Sequence, residues 1–171
     1  SLHNPMMDEK GRVWLTHQIR KPENPAFCLK GSTHPSAQMF PLERNQESRE
    51  LSMYDPKSGK FTLIDTCFGT HHLQFLPDGR LWMSAGYPVI GWFDTKAFEK
   101  SGDAQAAQGW TPFILDTNGN GKRDEGYVEP GQPADPARDT RVFNESPYGL
   151  ITDARDGTVW AVETGLPGAL L

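Results

Sequence analysis

The sequence predicts an all-β fold, a β-propeller-like set of four-stranded antiparallel blades, and three observations lead there. Gly 17 and Pro 14 among 171 residues interrupt the chain too often for long helices and favour short strands joined by turns. A hairpin motif recurs three times along the chain. Alternating strand patterns stand between its copies.

The motif is clearest in "HHLQFLPDGRLWMSA" (71–85), which aligns with "HNPMMDEKGRVWLTH" (3–17), His3 over His71, Gly11 over Gly79 and Trp14 over Trp82. A third copy, "YGLITDARDGTVWAVE" (148–163), brings Gly157 and Trp160 into register after one inserted residue. Each copy reads as a hairpin. A short apolar run meets a turn whose glycine supplies positive φ, and the return strand carries the tryptophan. Between the copies, "LSMYDPKSGKFTLID" (51–65) alternates around a turn, and "VIGWFDTKAF" (89–98) begins a similar strand and turn. Such repetition of small antiparallel sheets is the sequence form of a propeller.

The tryptophans are spaced 68 and 78 residues apart, beyond the roughly 40–50 of a propeller blade. Insertions at about 21–49 and 101–145 account for the excess, leaving about two and a half blades in one domain, 1–171. Closed propellers need at least about four. The start inside a repeat and the end at Leu170–Leu171 point to part of a larger propeller, completed in cis or in trans. A β-sandwich with coincidental Asp-Gly hairpins is the competing architecture.

A net charge of −5, with no Lys/Arg run, speaks against nucleic acid as a partner. No apolar run reaches the 18 or so residues of a membrane span. Cys28 and Cys67 can close one disulfide over about forty residues, worth roughly 3–4 kcal/mol. Two free buried thiols are the next reading, and a metal site using both comes last. No nucleophile elbow, P-loop or dinucleotide glycine motif occurs.

The repeat resembles that of the streptogramin lyase (virginiamycin B lyase-like) family and, more loosely, NHL-type propellers. The matching stretches are the three hairpins with "VIGWFDTK" and "YDPKSGKFTLI", about half of the chain. The resemblance implies histidines and a glutamate around a central channel, a bound Mg²⁺, and a lactone opened by C–O elimination with histidine as general base. There the glutamate stands fourteen residues after a histidine of the same blade. Here that pairing gives His3 with His17, His71 with Ala85, and Tyr148 with Glu163. The resemblance therefore implies His71, His3 and Glu163 as catalytic candidates contributed by different blades. Consecutive strand side chains point to opposite faces, so repeat register selects His71 for the channel and leaves His72 structural. A zinc or copper site built from His3, His17 and His71 is the runner-up chemistry.

The segment "DTNGNGKRDEG" (116–126) has the spacing of an EF-hand-type calcium loop: Asp116, Asn118 and Asn120 alternate, Gly121 permits the bend, Lys122 offers its carbonyl and Asp124 is ninth. Tyr127 takes the twelfth place, where a bidentate glutamate is usual, and Glu125 or Glu129 is the expected substitute. A solvated Asn-Gly turn is the plainer alternative. Structural Ca²⁺ of this weak type favours a periplasmic or extracellular location.

Trp14, Trp82 and Trp160 are expected in the core between blades. Trp92 and Trp110, outside the register, are candidates for a carbohydrate or other small-molecule ligand. Two functions follow: a secreted lyase-like enzyme, or a non-catalytic propeller scaffold, stabilised by calcium, that binds a ligand or protein.

Overall fold

The computed structural model describes residues 2–18, 23–44, 49–84, 86–142, 146–163 and 169–170. Ala85 and the side chain of Glu163 lie outside the described residues. The fold is mostly β. Strands β1 (Leu2–Met7), β2 (Val13–Gln18), β3 (Arg49–Asp55) and β4 (Lys60–Ile64) form one antiparallel meander. A second contains β5 (Leu73–Phe75), β6 (Arg80–Ser84), β7 (Val89–Asp94) and β8 (Gln108–Pro112). A two-stranded ladder, β9 (Ile114–Leu115) with β10 (Thr140–Arg141), precedes a third sheet of β11 (Gly149–Thr152), β12 (Val159–Glu163) and β13 (Ala169–Leu170).

The three repeats are the first hairpins of the three sheets, and their turns share one hydrogen-bond pattern. Asp8, Leu76 and Asp153 donate N–H to the carbonyls of Arg12, Arg80 and Thr158, while Gly11, Gly79 and Gly157 donate back to the same three residues. Those glycines have φ of 78°, 90° and 80°, a region that costs other residues steric strain. In the first turn the Asp8 carboxylate also accepts from Trp14 Nε1 at 2.9 Å and Arg12 Nε at 2.6 Å. Burial raises the Asp8 pKa, but these hydrogen bonds outweigh it and hold the carboxyl below its ordinary value.

The sheets pack through opposed faces. Trp14, Leu51 and Ile64 of the first join Leu73, Leu81, Met83 and Phe93 of the second in one buried cluster. Trp14 meets Phe75 edge-on at 6.3 Å and Phe93 at 5.9 Å. First strands are neighbours, with β5 lying between β1 and β11. Asn4 Oδ1 accepts from Leu73 N at 3.3 Å, and Thr152 Oγ1 donates to Phe75 O at 2.9 Å. The far faces remain apolar and exposed: Met7, Tyr54, Phe61 and Leu63 on the first sheet, Ile151, Trp160 and Val162 on the third. Trp160 is therefore 44% exposed where Trp14 is 1% exposed, unlike the core place expected for it.

The stretches read as insertions carry structure of their own. Residues 23–44 hold a 3-10 turn, Ala26–Cys28, and helix α1 (Pro35–Met39). Cys28 and Cys67, both fully buried, are joined as a disulfide that ties this excursion to the chain after β4. His34 caps α1, accepting from Ser36 N at Nδ1, and stacks on Trp110 at 4.9 Å. Trp110 is 1% exposed and donates Nε1–H to Phe40 O, so it belongs to the core rather than to an exposed face. After Asp94 the chain enters helix α2 (Thr95–Ser101) instead of a turn, because Asp94 Oδ1 accepts from Ala97 N as an N-cap. Residues 108–112, within the second stretch, complete the second sheet as β8. Gly109 permits this, since a Cβ there would stand 2.3 Å from the Trp92 ring.

Candidate functional site

All three Asp-Gly-type turns lie at one end of their hairpins, so residues that open the repeats gather at the other. Repeat register superimposes His3, His71 and Tyr148, and these meet in space. The rings of His3 and His71 are 4.3 Å apart between centroids, and those of His71 and Tyr148 5.1 Å. His72 completes the group, 4.3 Å from His71 and 5.0 Å from Tyr148. One ring nitrogen from each of His3, His71 and His72 lies within 4.8 Å of the other two.

The backbone explains why these side chains converge. His3 pairs with Thr16 and so shares the pleat face of Trp14, the face packed on the second sheet. A bulge follows at once, with the register shifting between His3 and Pro5 and Asn4 adopting φ 42°. Bulges re-aim side chains at strand ends, and asparagine tolerates the left-handed region better than most residues. Asn4 then reaches the amide of Leu73, linking the two sheets at the cluster. His71 and His72 stand just before β5, where Ser84 brackets them. Its carbonyl accepts from His71 N, its amide donates to His72 O, and its Oγ accepts from His72 N, each at 3.0 Å.

This placement corrects two expectations. His72 is not turned away from His71, because strand alternation does not apply to residues ahead of β5. The two Nδ1 atoms lie 3.0 Å apart. His17 does not join the cluster. It follows Thr16 on β2 and takes the opposite pleat face, where it is 1% exposed with Nε2 at 3.1 Å from Leu51 O. Glu163 ends β12, and its neighbour Val162 accepts the backbone N–H of Tyr148 through its carbonyl at 2.9 Å.

One contact argues for the tautomer of His72. His72 Nδ1 lies 2.8 Å from Tyr148 O, and a carbonyl only accepts, so this nitrogen carries the proton. The Nδ1 of His71 lies 3.0 Å from the same nitrogen. His72 is left with a basic Nε2 oriented by a fixed hydrogen bond on its other nitrogen, the arrangement used by general-base and metal-ligating histidines.

No protein-family model, curated protein or solved structure matches this chain.

The second candidate site is the 116–124 loop. Asp116 accepts from Asn120 N at 3.0 Å and Gly121 N at 2.7 Å, Asn120 Oδ1 accepts from Lys122 N at 2.8 Å, and the Asn118 and Asn120 amides donate to Asp124 at 2.8 and 3.0 Å. The loop is thus wrapped inward upon its own polar side chains. Tyr127, at the twelfth place, is half-buried. Burial and then the charge of Glu129 push its phenol above its ordinary pKa, so it offers no anionic oxygen. Glu129 Oε2 takes the Arg141 guanidinium, with Nε at 2.9 Å. Sequence reasoning gave His72 a structural role and missed Asn4 and Asp139, which lies 15 residues beyond Asp124. For Asn4 the signal was present, because asparagine before proline in a strand marks an irregularity.

Proposed function

We propose that the protein is a lyase-like enzyme of the propeller type whose active site is the histidine cluster. The observation that carries the reading is the meeting of three imidazoles from two sheets, with the tautomer of His72 held by a backbone carbonyl. In the proposed elimination, His72 Nε2 takes the proton from the carbon next to the one bearing the ester oxygen. That electron pair forms C=C, the C–O bond breaks and the carboxylate leaves. Register alone would give the base role to His71. The Tyr148 carbonyl beside its Nδ1 favours His72, with His71 and His3 as the partner imidazoles. Glu163 is retained as a candidate at the same strand end.

Propeller architecture is part of the proposal. The meanders stack face to face with neighbouring first strands, and apolar faces stay exposed at both ends of the stack. Further sheets, in cis or in trans, would cover them. The buried disulfide supports a periplasmic or extracellular location, since such bonds persist in oxidising compartments.

Three imidazole nitrogens do not suit Mg²⁺, which prefers oxygen ligands in octahedral geometry. The 4.8 Å grouping favours instead, as a second reading, a zinc or copper site made by His3, His71 and His72. Mass spectrometry of a cyclic lactone incubated with the protein distinguishes the chemistries. Elimination gives an unsaturated product isomeric with the substrate, lost in His72→Ala. A product that gains one water, or activity that survives in His72→Ala, rejects the proposal.

A further inference from the structure

We propose that the 116–124 loop and Asp139 form a single Ca²⁺ site, in which Asp139 supplies the carboxylate that the loop's own twelfth position lacks. The decisive observation is a polar atom, separate from the loop's internal hydrogen bonds. Asp139 is 1% exposed, its Oδ2 accepts from Asp124 N at 3.2 Å, and its Oδ1 is buried without a hydrogen-bond partner among the described residues. A carboxylate oxygen removed from water and given no donor is costly, and such atoms in folded proteins call for a counterpart such as a bound ion.

Asp139 sits where a ligand is needed. In the β9–β10 ladder Leu115 pairs with Thr140 and Ile114 with Arg141, so the next antiparallel position sets Asp139 opposite Asp116, the first residue of the loop. A second frame fixes it from the other side: Val128 N donates to Asp139 O at 2.8 Å, and Arg141 N to Val128 O at 2.9 Å. Asp139 is thereby held beside the loop's first and ninth positions. The carboxylates expected from sequence are less suited, since Glu129 is engaged with Arg141 and Glu125 is exposed.

The donors are the carboxylates of Asp116, Asp124 and Asp139, the amide oxygens of Asn118 and Asn120, and the Lys122 carbonyl. An all-oxygen set of about six or more ligands from a flexible loop selects Ca²⁺. The Asn118 and Asn120 amides, which now donate to Asp124, turn their oxygens inward when the ion binds.

Calorimetric titration of the chelator-treated full chain with CaCl₂ tests the site. One ion per chain is expected, with Asp139→Asn weakening uptake by at least about tenfold, the least that loss of a metal-site partner usually costs, and Glu129→Gln leaving it unchanged. No uptake by the wild type, or equal uptake by Asp139→Asn, overturns the proposal. Hydrogen exchange on the wild type decides independently of whether that variant folds. Calcium must slow amides both in 116–124 and around 139–141, and slowing confined to the loop removes Asp139 from the site.

Discussion

His3 and His71 belong to different sheets, 68 residues apart in sequence, and their imidazoles lie 4.3 Å apart between ring centroids. The contact joins the openings of two repeats. It depends on the sheets packing through the Trp14 face and on the Asn4 bulge, so both packing and local geometry can be tested.

Trp14→Ala should destabilise the protein by about 3–5 kcal/mol, the usual cost of removing a buried aromatic side chain. Trp160→Ala, at the equivalent repeat position but 44% exposed, should cost less than about 1 kcal/mol. Denaturant unfolding of the two variants measures the difference. Comparable losses would mean that Trp160 is covered by something beyond these three sheets.

Reduction of the Cys28–Cys67 bond removes the constraint on a 39-residue separation, an expected loss of roughly 3–4 kcal/mol. For a chain of this size that lowers Tm by about 6–16 °C. Calorimetry with and without reductant checks it. The excursion carrying α1 should loosen first, because the bond is its covalent tie to the chain after β4.

Asp8 gives the fold an acid-sensitive element. Its folded-state pKa lies below the ordinary aspartate value, so its ionisation stabilises the fold fully above the unfolded pKa. That contribution is lost as pH falls through the folded value. Asp8→Asn should flatten the acid limb of the stability-against-pH curve, and unchanged curvature would contradict the role given to the Asp8 contacts with Trp14 and Arg12.

Gly109→Ala places a methyl group 2.3 Å from the Trp92 ring. The outer strand or the indole must move, at an expected cost of about 1–3 kcal/mol. Thermal unfolding reads the loss.

The hairpins were legible because glycine at positive φ and tryptophan at a fixed offset are local signals, repeated three times. Strand β8 and helix α2 were not. The run from Val89 to Phe98 begins as a strand and hides the Asp94 cap, and β8 contains Gly109 and Pro112, residues poor in strands. His72 was misread because the alternation rule was applied one residue ahead of the strand it governs. Asp139 carries no local signal, since only the β9–β10 ladder returns it to the loop.

The nitrogen-15 NMR of the histidine side chains, recorded at about pH 8 where free imidazoles are neutral, tests the central claim most directly. The expected result is His72 protonated at Nδ1, with its lone pair on Nε2. A His72 ring protonated at Nε2 would break its bond to the Tyr148 carbonyl and contradict the site.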